Sequence, residues 1–149
     1  GFTEKRPPLK RVSAVARTSA TPDQVWAVLA DHASMFDWTP FKRSEVLSAG
    51  DDNGVGLIRK LSGGPAGMTV HEQIVAAEAP RRMEYTATGA PGMKRYHSFV
   101  DVEAEPGGGS TITWEAQYRT LLPGSSAITG RMVQTLADGL ALAAERTAH

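Results

Sequence analysis

Between residues 42 and 120 the chain alternates apolar and polar positions with a period of two. In "GVGLIRKL" Leu57, Arg59 and Leu61 share one side, with Ile58 and Lys60 on the other. In "VHEQIV" Val70, Glu72 and Ile74 form the matching set. Successive strand side chains point to opposite faces, so this period predicts strands with one covered face. The predicted strands are Lys42 to Ala49, Gly54 to Leu61, Gly67 to Ala77, Arg82 to Thr88, Lys94 to Glu105 and Ser110 to Thr120. The segments "DDNG", "GGPAG", "APRR", "GAPG" and "EPGGG" between them carry turn-forming residues. Short strands at this spacing predict an antiparallel meander.

The two ends of the chain read differently. Lys10 to Ser19 is a first strand with Val12 and Val15 as its apolar points. In "ATPDQVWAVLAD" Thr21 is placed to cap a helix, Pro22 suits its first position, and Val25, Trp26 and Leu29 make its apolar face. Asp31 to Phe36 is read as a second short helix. Trp38, Pro40 and Phe41 then form an aromatic-proline corner, expected at a cavity opening. After "LLPGSS", Ile128, Met132, Leu136, Leu140 and Ala144 recur every four residues, with Val133, Ala137 and Ala141 beside them. That stripe predicts an amphipathic helix from about Ser125 to Thr147, capped by Ser125 or Ser126, packing on the sheet. Residues 1–9 read as a flexible basic tail around "EKRPPLKR", and residues 10–149 as a single domain.

Composition narrows the class. The 149 residues are 41% hydrophobic and 21% charged, ordinary values for a globular chain. Sixteen basic residues balance sixteen acidic ones, so the formal net charge is zero, which argues against nucleic acid as a partner. There is no cysteine. That excludes thiol chemistry and fits a reducing cytoplasm. No apolar run approaches a membrane span, so no integral membrane association is expected. The chain opens on Gly1-Phe2 rather than methionine, which leaves a removed leader compatible with it.

Several stretches together resemble a known superfamily. "ATPDQVWAVLAD", the Trp38–Pro40 corner in "MFDWTPF", "GVGLIRKL" followed by "VHEQIV", "APRRMEYTATG" and "STITWEAQY" occur in the order seen in START-like (Bet v 1-like, SRPBCC) proteins. The match is similar in particular to the bacterial polyketide cyclase/dehydrase group and runs from Lys10 to Ala144. The resemblance implies an α+β helix-grip: a curved seven-stranded antiparallel sheet wrapped around a long C-terminal helix, with two short helices after the first strand. It also implies a cavity between sheet and helix. The fold hosts many functions, so it does not decide among them.

Alternation selects the residues facing that cavity. Leu57, Arg59, Glu72, Ile74, Met83, Tyr85, Tyr96, Ser98, Trp114 and Tyr118 point inward on the strands, joined by Trp38 from the corner and Met132 and Leu136 from the helix. Arg59 and Glu72 sit at matching positions of adjacent strands and are expected to meet, because a lone buried charge is costly. Three tyrosines on one face are more than a dry core needs, so at least one is expected to touch ligand. His32 lies at the end of the first helix, His71 and His97 point outward, and His149 is terminal. No histidines converge, so neither a metal nor another cofactor is expected.

Three functions remain open. The first is binding of a small hydrophobic or aromatic ligand in the cavity. The second is a polyketide cyclase, aromatase or dehydratase activity. In that reading Arg59 polarises a carbonyl, Tyr85 or Tyr96 donates a proton and Glu72 accepts one. The third is a ligand-free domain that binds a partner. Either a monomer or a homodimer fits.

Overall fold

The computed structural model describes residues 6–148. In chain order it contains β1 (Leu9–Thr18), α1 (Pro22–Leu29), a short 3-10 helix (His32–Asp37), β2 (Arg43–Ser48) and β3 (Ile58–Ser62). A 3-10 turn (Pro65–Gly67) leads to β4 (Val70–Glu78), β5 (Arg82–Thr88), β6 (Met93–Ala104), β7 (Ser110–Thr120) and α2 (Ser125–Thr147). All seven strands form one antiparallel sheet in the order β1-β7-β6-β5-β4-β3-β2. Strands β2 to β7 are a meander. The two short helices carry the chain from one edge of the sheet to the other, and α2 returns to lie against β1 and β7. This is the expected helix-grip. No helix among the described residues is long and apolar enough to cross a membrane.

The local chemistry explains the boundaries. Thr21 and Gln24 form a reciprocal capping box: Gln24 N donates to Thr21 Oγ1 at 3.2 Å and Thr21 N to Gln24 Oε1 at 2.8 Å. Strand β3 begins later than predicted because Gly54 and Gly56 adopt positive φ (85° and 93°), a conformation glycine reaches without penalty. Strand β4 begins later because Pro65–Gly67 turns as 3-10 helix. Neither Ser125 nor Ser126 caps α2: the N-cap is Gly124, at φ 74°, with no side-chain hydrogen bond.

The core lies between the inner sheet face and α2. On β7 every second residue is buried, including Ile112, Trp114, Ala116 and Tyr118. On β1 the buried positions are Ala14, Ala16 and Thr18; of the two predicted apolar points, Val12 shares their face and packs partly buried against the core. Val15 lies on the opposite face by alternation and is 53% exposed. The predicted stripe on α2 is displaced at its start. Leu136, Leu140 and Ala144 are buried with Val133, Ala137 and Ala141, whereas Ile128 is 71% exposed. Trp38 anchors the corner against α2. A Cβ on Gly139 would stand 2.2 Å from the Trp38 carbonyl oxygen, so only glycine permits this approach. The last residues of the predicted tail are held rather than loose: Leu9 pairs with Arg119, and Arg119 Nη1 donates to the Pro7 carbonyl at 3.0 Å. Residues 1–5 and His149 lie outside the described residues.

Candidate ligand-binding cavity

Between the sheet and the first half of α2 lies a cavity of about 290 Å³. Strands β4, β5 and β6 contribute Val70, Glu72, Tyr85, Ala87, Met93 and Tyr96 to its wall. Helix α2 contributes Ser125, Ile128, Thr129, Met132 and Leu136, and Phe41 and Met68 add to the floor. Ala90, Pro91, Leu122 and Pro123, from the loops before β6 and after β7, surround the open end. The wall is almost wholly apolar. Its polar groups are the Glu72 carboxylate, the Tyr85 and Tyr96 phenols and the Ser125 and Thr129 hydroxyls.

Register places Arg59 of β3 directly opposite Glu72 of β4. Arg59 is fully buried, and its Nε and Nη2 both reach Glu72 Oε1, at 2.9 and 2.8 Å. Its Nη1 lies 2.7 Å from His32 Nδ1, and the guanidinium carbon sits 4.9 Å from the Tyr85 ring centroid. A guanidinium has donors and no acceptor, so His32 must accept on Nδ1 and carry its proton on Nε2. Burial, reinforced by the Arg59 charge, holds the His32 pKa down at about 4, in keeping with a neutral ring. Burial pushes the Glu72 carboxyl above its ordinary range, and Arg59 pulls it back only part of the way. Burial also raises the Tyr85 and Tyr96 phenols, with the nearby Glu72 charge adding to both. Glu72 Oε1 is thus fully engaged by Arg59, while Oε2 makes no hydrogen bond among the described residues and belongs to a side chain on the cavity wall.

With this geometry in place, the chain can be compared with known proteins. A sequence profile of the family described as polyketide cyclase/dehydrase and lipid transport matches residues 10–146. The chain belongs to this family. The fold is similar to the ZhuI aromatase/cyclase from Streptomyces sp. R1128, with a TM-score of 0.77, 17% identity and coverage of 95% of this chain and 97% of that one. It is also similar to Ara h 8.0201, with a TM-score of 0.72, 18% identity and coverage of 94% and 97%. A point mutant of Thalictrum flavum norcoclaurine synthase, in complex with a transition-state analogue, gives a TM-score of 0.73, 16% identity and coverage of 98% and 100%. At these identities the likeness is one of fold. No curated protein matches the sequence.

Within this family member the structure sorts the sequence-selected residues. Glu72, Tyr85, Tyr96, Met132 and Leu136 line the cavity. Arg59 stands behind Glu72, not on the wall, so it meets a ligand only through that carboxylate. Ile74, Ser98, Trp114 and Tyr118 are fully buried and belong to the core. There Trp114 Nε1 donates to the Tyr85 hydroxyl at 3.2 Å, and Tyr118 stacks on Tyr96 at 5.9 Å between ring centroids. Trp38 does not line the cavity. It packs edge-on against Trp114 at 6.2 Å and is 8% exposed, which makes it a core plug rather than part of a cavity opening; Phe41 alone of that corner reaches the cavity. Leu57 and Met83 line a different depression on the far side of Arg59. His71 points outward as expected, and His97, partly exposed, lies 3.0 Å from Glu84.

Sequence reasoning missed His32 as a partner of Arg59. The signal was available: the guanidinium offers five N–H donors, more than one carboxylate accepts, so a further buried acceptor was required. It also missed Ser125, Ile128 and Thr129. The four-residue spacing identified the helix but not the point along it where the packed core gives way to the cavity.

Proposed function

We propose that this protein binds a small, mostly apolar molecule bearing one hydrogen-bond donor in the cavity between the sheet and α2. The supporting observation is the Glu72 carboxylate, oriented by Arg59 at Oε1 and unengaged at Oε2, in an otherwise apolar wall. An apolar cavity of about 150 Å³ holds a benzene. The volume here is about 290 Å³ and suits two fused or linked rings, or an acyl chain of similar bulk. Apolar contact supplies the affinity and the carboxylate fixes the orientation. The ligand-free partner-binding reading loses support, because it requires side chains to fill this space.

A second reading follows from the raised Glu72 carboxyl beside the Tyr96 phenol, a pair able to move a proton on a bound carbonyl compound. The ZhuI protein is named an aromatase/cyclase, and a related activity fits this cavity. Arg59, sealed behind Glu72, would act there by positioning the carboxylate rather than by polarising a carbonyl.

The binding reading is tested by calorimetric titration of 2-naphthol against naphthalene. One hydrogen bond to a charged group favours the naphthol by roughly ten- to a hundredfold. Met132→Trp, which fills the cavity, should abolish binding of both. Equal affinity for the two probes would count against a role for Glu72.

A further inference from the structure

A second depression, of about 410 Å³, lies between the end of α1, the loop joining β2 to β3 and the start of β5. Trp26, Leu57 and Met83 form its apolar walls, and Asp51 and Asp52 stand at its rim. The rim is tightly built: Asp51 Oδ1 accepts from the backbone N–H groups of Asn53 at 2.9 Å and Val55 at 3.0 Å. His32 forms part of the wall and is only 7% exposed. Its Nδ1 is turned to Arg59, so Nε2, on the far side of the ring, carries the hydrogen. That Nε2–H makes no hydrogen bond among the described residues. The N–H is not sealed in the core but open on the depression, where a ligand acceptor can take the place of solvent.

We propose that this depression is a second small-molecule site, separate from the cavity, for a neutral planar molecule bearing a carbonyl or similar acceptor, which takes the hydrogen of His32 Nε2. The rim and the ring define this class. The Asp51 and Asp52 carboxylates repel anions, and a neutral imidazole offers anions no charge. A cation gains nothing from the N–H inside, so the carboxylates would hold it at the rim rather than in the depression. A flat apolar body packs against Trp26, Leu57 and Met83. The Arg59 guanidinium lies between the two sites, with His32 on one side and Glu72 on the other.

The test is a titration of the whole chain with acetophenone and, separately, with its near-isostere ethylbenzene, followed by NMR. The Trp26 indole N–H and His32 ring signals report the second site, and the Met132 methyl reports the cavity. Saturable shifts at Trp26 and His32 with acetophenone are expected, at about fivefold tighter affinity than ethylbenzene, which is the effect of one net hydrogen bond. They should persist in Met132→Trp, where the cavity is filled. His32→Met keeps a weak acceptor for Arg59 but carries no donor, so it should remove the preference for acetophenone. Shifts confined to Met132, or equal affinity of the two probes at Trp26, would overturn the proposal.

Discussion

Replacing Glu72 with leucine removes the only carboxylate that meets Arg59 among the described residues. The guanidinium is fully buried, with Nε and Nη2 directed at Glu72 Oε1. After the substitution His32 Nδ1 remains as one neutral acceptor for a full positive charge. Breaking one side of such a pair costs about 3–5 kcal/mol, because the surviving charge stays buried without compensation. That is a large part of the 5–15 kcal/mol typical of a domain's total stability. Arg59→Met should cost a similar amount by stranding the carboxylate. The double variant Arg59→Met/Glu72→Leu should cost much less than the sum, since it leaves no charge behind. Urea denaturation of the four proteins gives the full cycle, with unchanged slopes showing that the same surface unfolds in each. Single variants within about 0.5 kcal/mol of the parent would refute the reasoning, because that is the behaviour of solvent-exposed pairs.

Stability should depend on acidity through His32. Well above pH 6.5 the ring is neutral in both states; as pH falls through 6.5 toward about 4 the unfolded chain takes up a proton that the folded one refuses, so stability is lost as pH falls, by up to about 3 kcal/mol. Glu72, with its carboxyl raised, binds its proton earlier in the folded state and opposes this loss. The clean readout is therefore the gap in urea midpoint between parent and His32→Asn, which should narrow on acidification; a constant gap would remove His32 from the account. Gly139→Ala places a Cβ 2.2 Å from the Trp38 carbonyl oxygen and should cost about 1–3 kcal/mol. Gly130→Ala, in the same helix with nothing within 4 Å, should instead gain about 0.5–1 kcal/mol, and thermal melts of the two variants check both signs.

The fold was legible because each element carried its own signal. The period of two on β7 holds without interruption from Ser110 to Thr120, and the Thr21–Pro22–Gln24 start of α1 is complete in four residues. The inward parity of Arg59 and Glu72 followed from the same alternation. The cavity was less legible because facing inward is not the same as facing space. Ile74, Trp114 and Tyr118 share parity with Glu72 and Tyr85 but lie where α2 and the Trp38 corner fill the interior. The open end depends on Leu122, Pro123 and Ile128, which sit on a loop and an early helical turn whose placement is tertiary. His32 was hidden for a related reason: its contact with Arg59 spans 27 residues, and no local pattern encodes it.

The central claim is that Glu72 is the polar fixture of an apolar binding cavity, and a structure of the protein with 2-naphthol bound tests it most directly. The account predicts the rings between Tyr96 and Met132, with the hydroxyl within hydrogen-bond distance of Glu72 Oε2 and the Arg59 fork on Oε1 unchanged. A naphthol seated with its hydroxyl at the open end beside Pro91 and Leu122, and no contact to Glu72, would contradict it.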